Sequence, residues 1–138
     1  MRYHDLIEEK TENEYFKNLD DDTIDEYIGG KCMFLAAAFH RIHGYEIQVV
    51  IEDYNTTHAY VSHAWVVIPN SGDMIDIDGR YPLSKNGWIG FGKYVTGLTE
   101  QSLKNIINKT SYKPISDSEW ESEVQKALTL ISKHFVQK

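Results

Sequence analysis

The chain has a single cysteine, Cys32, six histidines and 21 acidic residues, and members of all three kinds stand in an order that suits thiol chemistry. Cys32 follows Gly29, Gly30 and Lys31 at the head of an apolar run, "GGKCMFLAAAFHRIHG". His63 lies in "SHAWVV", and Asp76 and Asp78 lie in "MIDIDG". A thiol attacks as its thiolate. A free cysteine titrates near about 8.5, and a helix N-terminus or a neighbouring imidazolium moves it toward neutrality. N–H groups at a helix start also suit an oxyanion, and glycines let a substrate backbone approach closely. A histidine on a strand is a rigidly placed base, and a carboxylate behind it fixes its tautomer and stabilises its charged form. Each residue alone has a plainer reading. An unpaired cysteine is usually a small core hydrophobe, a strand histidine a structural residue, and an acidic pair before glycine a solvated turn. The three together point to a Cys–His–Asp triad.

A metal site is the competing constellation, built from His40, His43, His58, His63 and the two aspartates. His40 and His43 are three apart and so neighbours on a helix face. A helix from Cys32 to His43 separates its two ends by roughly 18 Å at 1.5 Å per residue, so one site cannot use both. No His-Glu-x-x-His spacing is present. His40 and His43 are therefore expected to serve the helix C-terminus, with no metal and no other cofactor. Arg80 reads as a surface residue or a partner for Asp78 or substrate. Trp88, in "NGWIGFG", reads as core or as the lining of an acyl or peptide groove.

The elements that must position these residues follow from periodicity. The first 28 residues are acidic and read as helical, with Leu6, Ile7, Tyr15, Phe16, Leu19, Ile24 and Ile28 apolar and Asp22 or Thr23 as N-cap. A second helix from about Lys31 to His43 ends at Gly44. It has almost no polar face, so it is expected to be covered on more than one side. The period then changes to two. "YEIQVVIEDY" is a strand, and "HAYVSHAWVVIP" another, with Val61, His63, Trp65 and Val67 on one face. "NSGD" turns into a third strand, "MIDIDG", making a hairpin. A glycine-rich loop follows, with a further short strand around Trp88 to Tyr94. "TEQSLKNIIN" reads as a helix capped at Thr99. "SDSEWESEVQKALTLISKHFV" reads as a C-terminal helix capped at Ser116 or Ser118, burying Trp120, Val124, Leu128 and Ile131.

The three segments "GGKCMFLAAAFHRIHG", "SHAWVV" and "MIDIDGR" resemble the papain-like and transglutaminase-like cysteine hydrolase superfamily. The likeness is closest to small bacterial and phage proteins with a Cys-helix, "HA[FW]VV" and "[IL]D-x-x-G", and it covers roughly residues 29–80. It implies an α+β fold in which a central Cys-headed helix packs on a small antiparallel sheet, flanked by N- and C-terminal helices. It also implies Cys32 as nucleophile, His63 as base and an aspartate as its orienter. The chain departs from the papain pattern in having no Gln upstream of Cys32, which leaves the second oxyanion donor unassigned. The choice of aspartate is a matter of register. Pairing of Ile68 with Asp73 sets Asp78 opposite His63 and Asp76 diagonal to it, whereas the "[IL]D-x-x-G" likeness favours Asp76, the preferred residue.

Length and composition bound the rest. At 138 residues, one domain spanning residues 1–138 is expected. The net charge of −7 argues against nucleic-acid or anionic-membrane partners. A lone cysteine gives no sign of an oxidising compartment, and no stretch reaches the roughly 20 apolar residues of a membrane span. A cytoplasmic location is expected. The expected function is a thiol hydrolase or acyltransferase acting on an amide, with a protein or peptide as substrate. The alternative is a binding or inhibitory protein that keeps the fold without turnover.

Overall fold

The fold is known from a computed structural model that describes residues 14–110 and 113–136. The elements run α1 (Asp21–Ile28), α2 (Cys32–His43), β1 (Glu46–Glu52), β2 (Tyr60–Val67), β3 (Asp73–Asp76), β4 (Gly79–Pro82), β5 (Lys93–Leu98), α3 (Glu100–Thr110) and α4 (Asp117–His134). The class is α+β. The strands form one antiparallel sheet in the order β4-β3-β2-β1-β5.

Helix α2 is the centre of the molecule because it can be covered on all sides. Phe34 through Phe39 are all buried. The run of Ala36, Ala37 and Ala38 favours helix and lets neighbouring elements approach closely. β2 packs against it, as do α4, α1 and α3. Burying side chains the size of Leu35 and Phe39 contributes about 1.5–3 kcal/mol each. The helix stops at Gly44, whose φ of 73° is left-handed and whose N–H bonds to His40 O. Near that end Arg41 donates to both Glu100 and Glu121, tying α2 to α3 and α4.

One face of the sheet joins α2 in the main core through Ile47, Val49, Ile51, Ala64, Val66 and Ile75, with Ile77 of the β3–β4 turn beside them. The opposite face carries Val50, Trp65 and Met74, covered by Tyr81, Leu83, Trp88 and Tyr94. The β1–β2 ladder slips by one residue, pairing Val50 with His63 but Ile51 with Val61. That bulge breaks the strict alternation expected for β2, and bulges of this kind re-aim a side chain.

Several expectations are corrected. Residues 14–20 are not helical: Phe16 makes an antiparallel bridge to Phe135, and Asn18 is left-handed at φ 63°. The cap of α1 is Asp20, which accepts from Thr23 N at 2.7 Å, two to three residues ahead of the expected positions. Leu6 and Ile7 lie outside the described residues. The third strand does not run through "MIDIDG". It ends at Asp76, and the chain turns at Ile77 and Asp78 into β4, an unexpected strand opened by Gly79 at φ 111°. The last strand runs Lys93–Leu98 and overlaps the expected stretch only at Lys93 and Tyr94. In α4 the cap is Ser116, and the buried stripe uses Ala127 and Leu130 where Leu128 was expected. Leu128 is only partly buried, because spacings of 4, 3 and 4 through Trp120, Val124, Ala127 and Ile131 track the 3.6-residue turn.

Candidate active site

His63 sits beside the bulge of β2 with 1 % of its surface exposed. The β2–β3 ladder pairs Val66 with Ile75 and Val67 with Met74, and Ile68 N–H bonds to Asp73 O at 2.9 Å. Continued, this register sets Asp76 level with Trp65 and Asp78 level with His63. Yet the bond to the imidazole comes from the diagonal position: His63 Nε2 donates to Asp76 Oδ2 at 2.9 Å. The reason is the turn. Because β3 ends at Asp76, Asp78 is already in the hairpin connection, and it enters the site through its backbone N–H, which donates to Asp76 Oδ1 at 2.9 Å. Asp76 is 2 % exposed. A buried carboxylate is costly unless hydrogen-bonded, and this one has a third donor, Tyr81 O–H, 2.6 Å from Oδ2.

Cys32 opens α2 and is 3 % exposed. With Nε2 committed to Asp76, the free ring nitrogen of His63 is Nδ1, buried and without a formed hydrogen bond among the described residues. The Cys32 side chain nevertheless bears on this imidazole, favouring its charged form. Burial disfavours the imidazolium. Hydrogen bonding to Asp76 and Cys32, with the negative charge of both, outweighs that and raises His63 to about 10. The head of α2 has no side-chain cap; Cys32 N–H reaches only Gly29 O, at 3.5 Å.

The other wall is aromatic. Trp88 stacks on His63 with centroids 4.5 Å apart and planes at 20°, and Trp65 lies 5.9 Å away. Asn86, buried, fixes the loop that carries Trp88: its Oδ1 accepts from Trp88 N at 2.7 Å and from Ile89 N. Next to Trp65, Gln48 Oε1 accepts from Trp65 Nε1 and Tyr94 O–H while its Nε2 donates to Glu46, so both ends of this buried amide are engaged.

The structure therefore joins His63 to Asp76 and to Trp88, and Cys32 bears electrostatically on the same imidazole. The remaining histidines of the metal reading lie elsewhere. His40 Nδ1 donates to Tyr45 O at 2.8 Å, His43 stacks on Phe39 and Tyr45, and His58 is in an exposed loop. Among the described residues no group of three or more His, Cys, Asp or Glu side chains gathers as a metal site. Arg80 pairs with Asp73 at 2.8 Å. Three groups around the triad escaped sequence reasoning: Tyr81, Asn86 and Gln48. Only Tyr81 had a signal, since a turn at Ile77 and Asp78 carries position 81 back beside Asp76. No family model, curated protein or solved structure matches the chain.

Proposed function

We propose that the protein is a thiol hydrolase or acyltransferase of papain-like or transglutaminase-like type, acting on an amide of a protein or peptide. One observation carries this reading: a buried histidine whose Nε2 is held by a buried aspartate, while its Nδ1 has no formed bond beside the lone cysteine at a helix head. A structural histidine normally has both polar atoms satisfied.

In this mechanism the Cys32 thiolate attacks the amide carbonyl carbon, and the electron pair moves to the carbonyl oxygen. N–H groups at the head of α2 receive that oxyanion. The His63 imidazolium then passes its proton to the departing amine, leaving a thioester on Cys32. Neutral His63 next takes a proton from water or from an acceptor amine, which attacks the thioester and regenerates the thiolate. Water gives hydrolysis and an amine gives transfer. Asp76 holds the imidazole in place and stabilises its charged form throughout.

A second reading, a protein that binds or inhibits without turnover, is favoured by the burial of both Cys32 and His63 and by Trp88 stacked on the His63 ring. Alkylation by iodoacetamide at pH 7 separates the two, using wild type, Cys32→Ala and His63→Ala. The catalytic reading expects labelling confined to Cys32 and slowed about tenfold or more without His63. Equal rates for wild type and the His63 variant, or labelling only after unfolding in urea, establish the second reading instead.

A further inference from the structure

We propose that Tyr81 is a positioning residue that acts on His63 through Asp76, sharing the acceptor oxygen and thereby limiting how tightly the carboxylate holds the imidazole proton. The inference rests on the triad reading of Cys32, His63 and Asp76.

The hairpin β3–β4 builds the contact. Asp76 pairs with Gly79 and Met74 with Tyr81, so Tyr81 is the diagonal neighbour of Asp76 on the same face. The residue directly opposite Asp76 is a glycine, and the flank of the carboxylate is open to the phenol. Tyr81 O–H meets Oδ2 at 2.6 Å, the same oxygen that His63 Nε2 meets at 2.9 Å, while Oδ1 is taken by Asp78 N–H. Three donors thus converge on one buried carboxylate. Two pin its plane from opposite oxygens, so the third is not needed for orientation alone. What the phenol changes is acceptor strength, because a donor on Oδ2 withdraws charge from the oxygen that holds His63.

The consequence is chemical. In the first half-reaction His63 must give up its proton to a departing amine, and a carboxylate that gripped the imidazolium too strongly would oppose that transfer. In the second half-reaction it must accept a proton, which a weakened carboxylate would oppose. Sharing Oδ2 places His63 between these demands. The titratable groups bearing on His63 are Cys32 from α2, Asp76 from β3 and, through Asp76, Tyr81 from β4.

The test is an NMR titration of the His63 imidazole nitrogens in Cys32→Ala and in Cys32→Ala/Tyr81→Phe. Removing Cys32 takes away its contribution to the raised value and brings the midpoint down into reach. The expected result is an upward shift of roughly half a pH unit or more on losing the phenol hydroxyl. The same Tyr81→Phe change in an Asp76→Asn background should move the midpoint by less than roughly 0.2 unit, since the effect runs through the carboxylate. No shift, a downward shift, or an equal shift in the Asp76→Asn background overturns the proposal. The titration is independent of turnover. A shifted His63 with an inert wild-type thiol retains the Tyr81 role and sinks the catalytic reading; a reactive thiol with an unshifted His63 does the reverse.

Discussion

At His63 burial and pairing pull in opposite directions. Removing an imidazolium from water is unfavourable, yet hydrogen bonding to Asp76 and Cys32, reinforced by their charges, outweighs that cost and holds the proton on the ring. The pair is therefore sensitive to the charge of its acceptor rather than to its shape. Asp76→Asn keeps the volume and an acceptor oxygen but removes the charge. The expected outcome is a fall of about tenfold or more in the iodoacetamide rate of Cys32 at pH 7, with unchanged far-UV circular dichroism. An unchanged rate would show that Asp76 has no part in activating the thiol. Residue types and order placed Cys32, His63 and Asp76 on the candidate list. They were silent on Asn86 and Gln48, whose partners in the Trp88 loop and on Trp65 are long-range or turn-specific contacts without periodicity.

At the level of elements, α2 and α4 were readable because their apolar residues follow the helical turn and their ends carry Gly44 and Ser116. The β3–β4 hairpin was not, because "MIDIDG" keeps an alternating pattern straight through the turn. Gly79 was the sole local sign of the break. The loop between β4 and β5 is fixed in a similarly local way. Gly92 passes so close to β1 that a β-carbon there would collide with the Ile51 carbonyl. Since the obstacle is backbone, no side-chain rotation relieves it. Gly92→Ala is expected to lower stability by about 1–3 kcal/mol, measured as a reduced midpoint of urea unfolding. Because the same loop carries Trp88 over His63, the emission of Trp88 should change as well. A variant as stable as wild type would mean that β5 can move off β1 at little cost.

For the molecule as a whole, the raised His63 makes stability depend on pH in a definite direction. The folded group titrates near about 10 and the unfolded one near 6.5. Folding therefore binds a proton between these values, and the unfolded state holds fewer. The stabilisation is fully present below about 6.5 and is lost as pH rises toward about 10. The difference in unfolding free energy between wild type and His63→Gln, followed by urea titration from pH 6 to 10, should shrink steadily across that window. A difference that grows with pH would show that His63 is held neutral in the native state. No helix among the described residues is long and apolar enough to cross a membrane.

Sequence alone determined the central helix with Cys32 at its head, the change to strand periodicity after Gly44, and the downstream order of histidine and aspartate. These are local properties, readable from spacing and from end residues. Only the tertiary structure decided which aspartate meets His63. Hairpin register set Asp78 level with it, but the chain had already turned, and the diagonal carboxylate of Asp76 was the one left within reach. It likewise decided that Tyr81 shares that carboxylate and that Trp88 covers the ring. A side chain's partners depend on where a strand stops and how the next one pairs, and those are set by packing across the sheet rather than by the residues nearest in sequence.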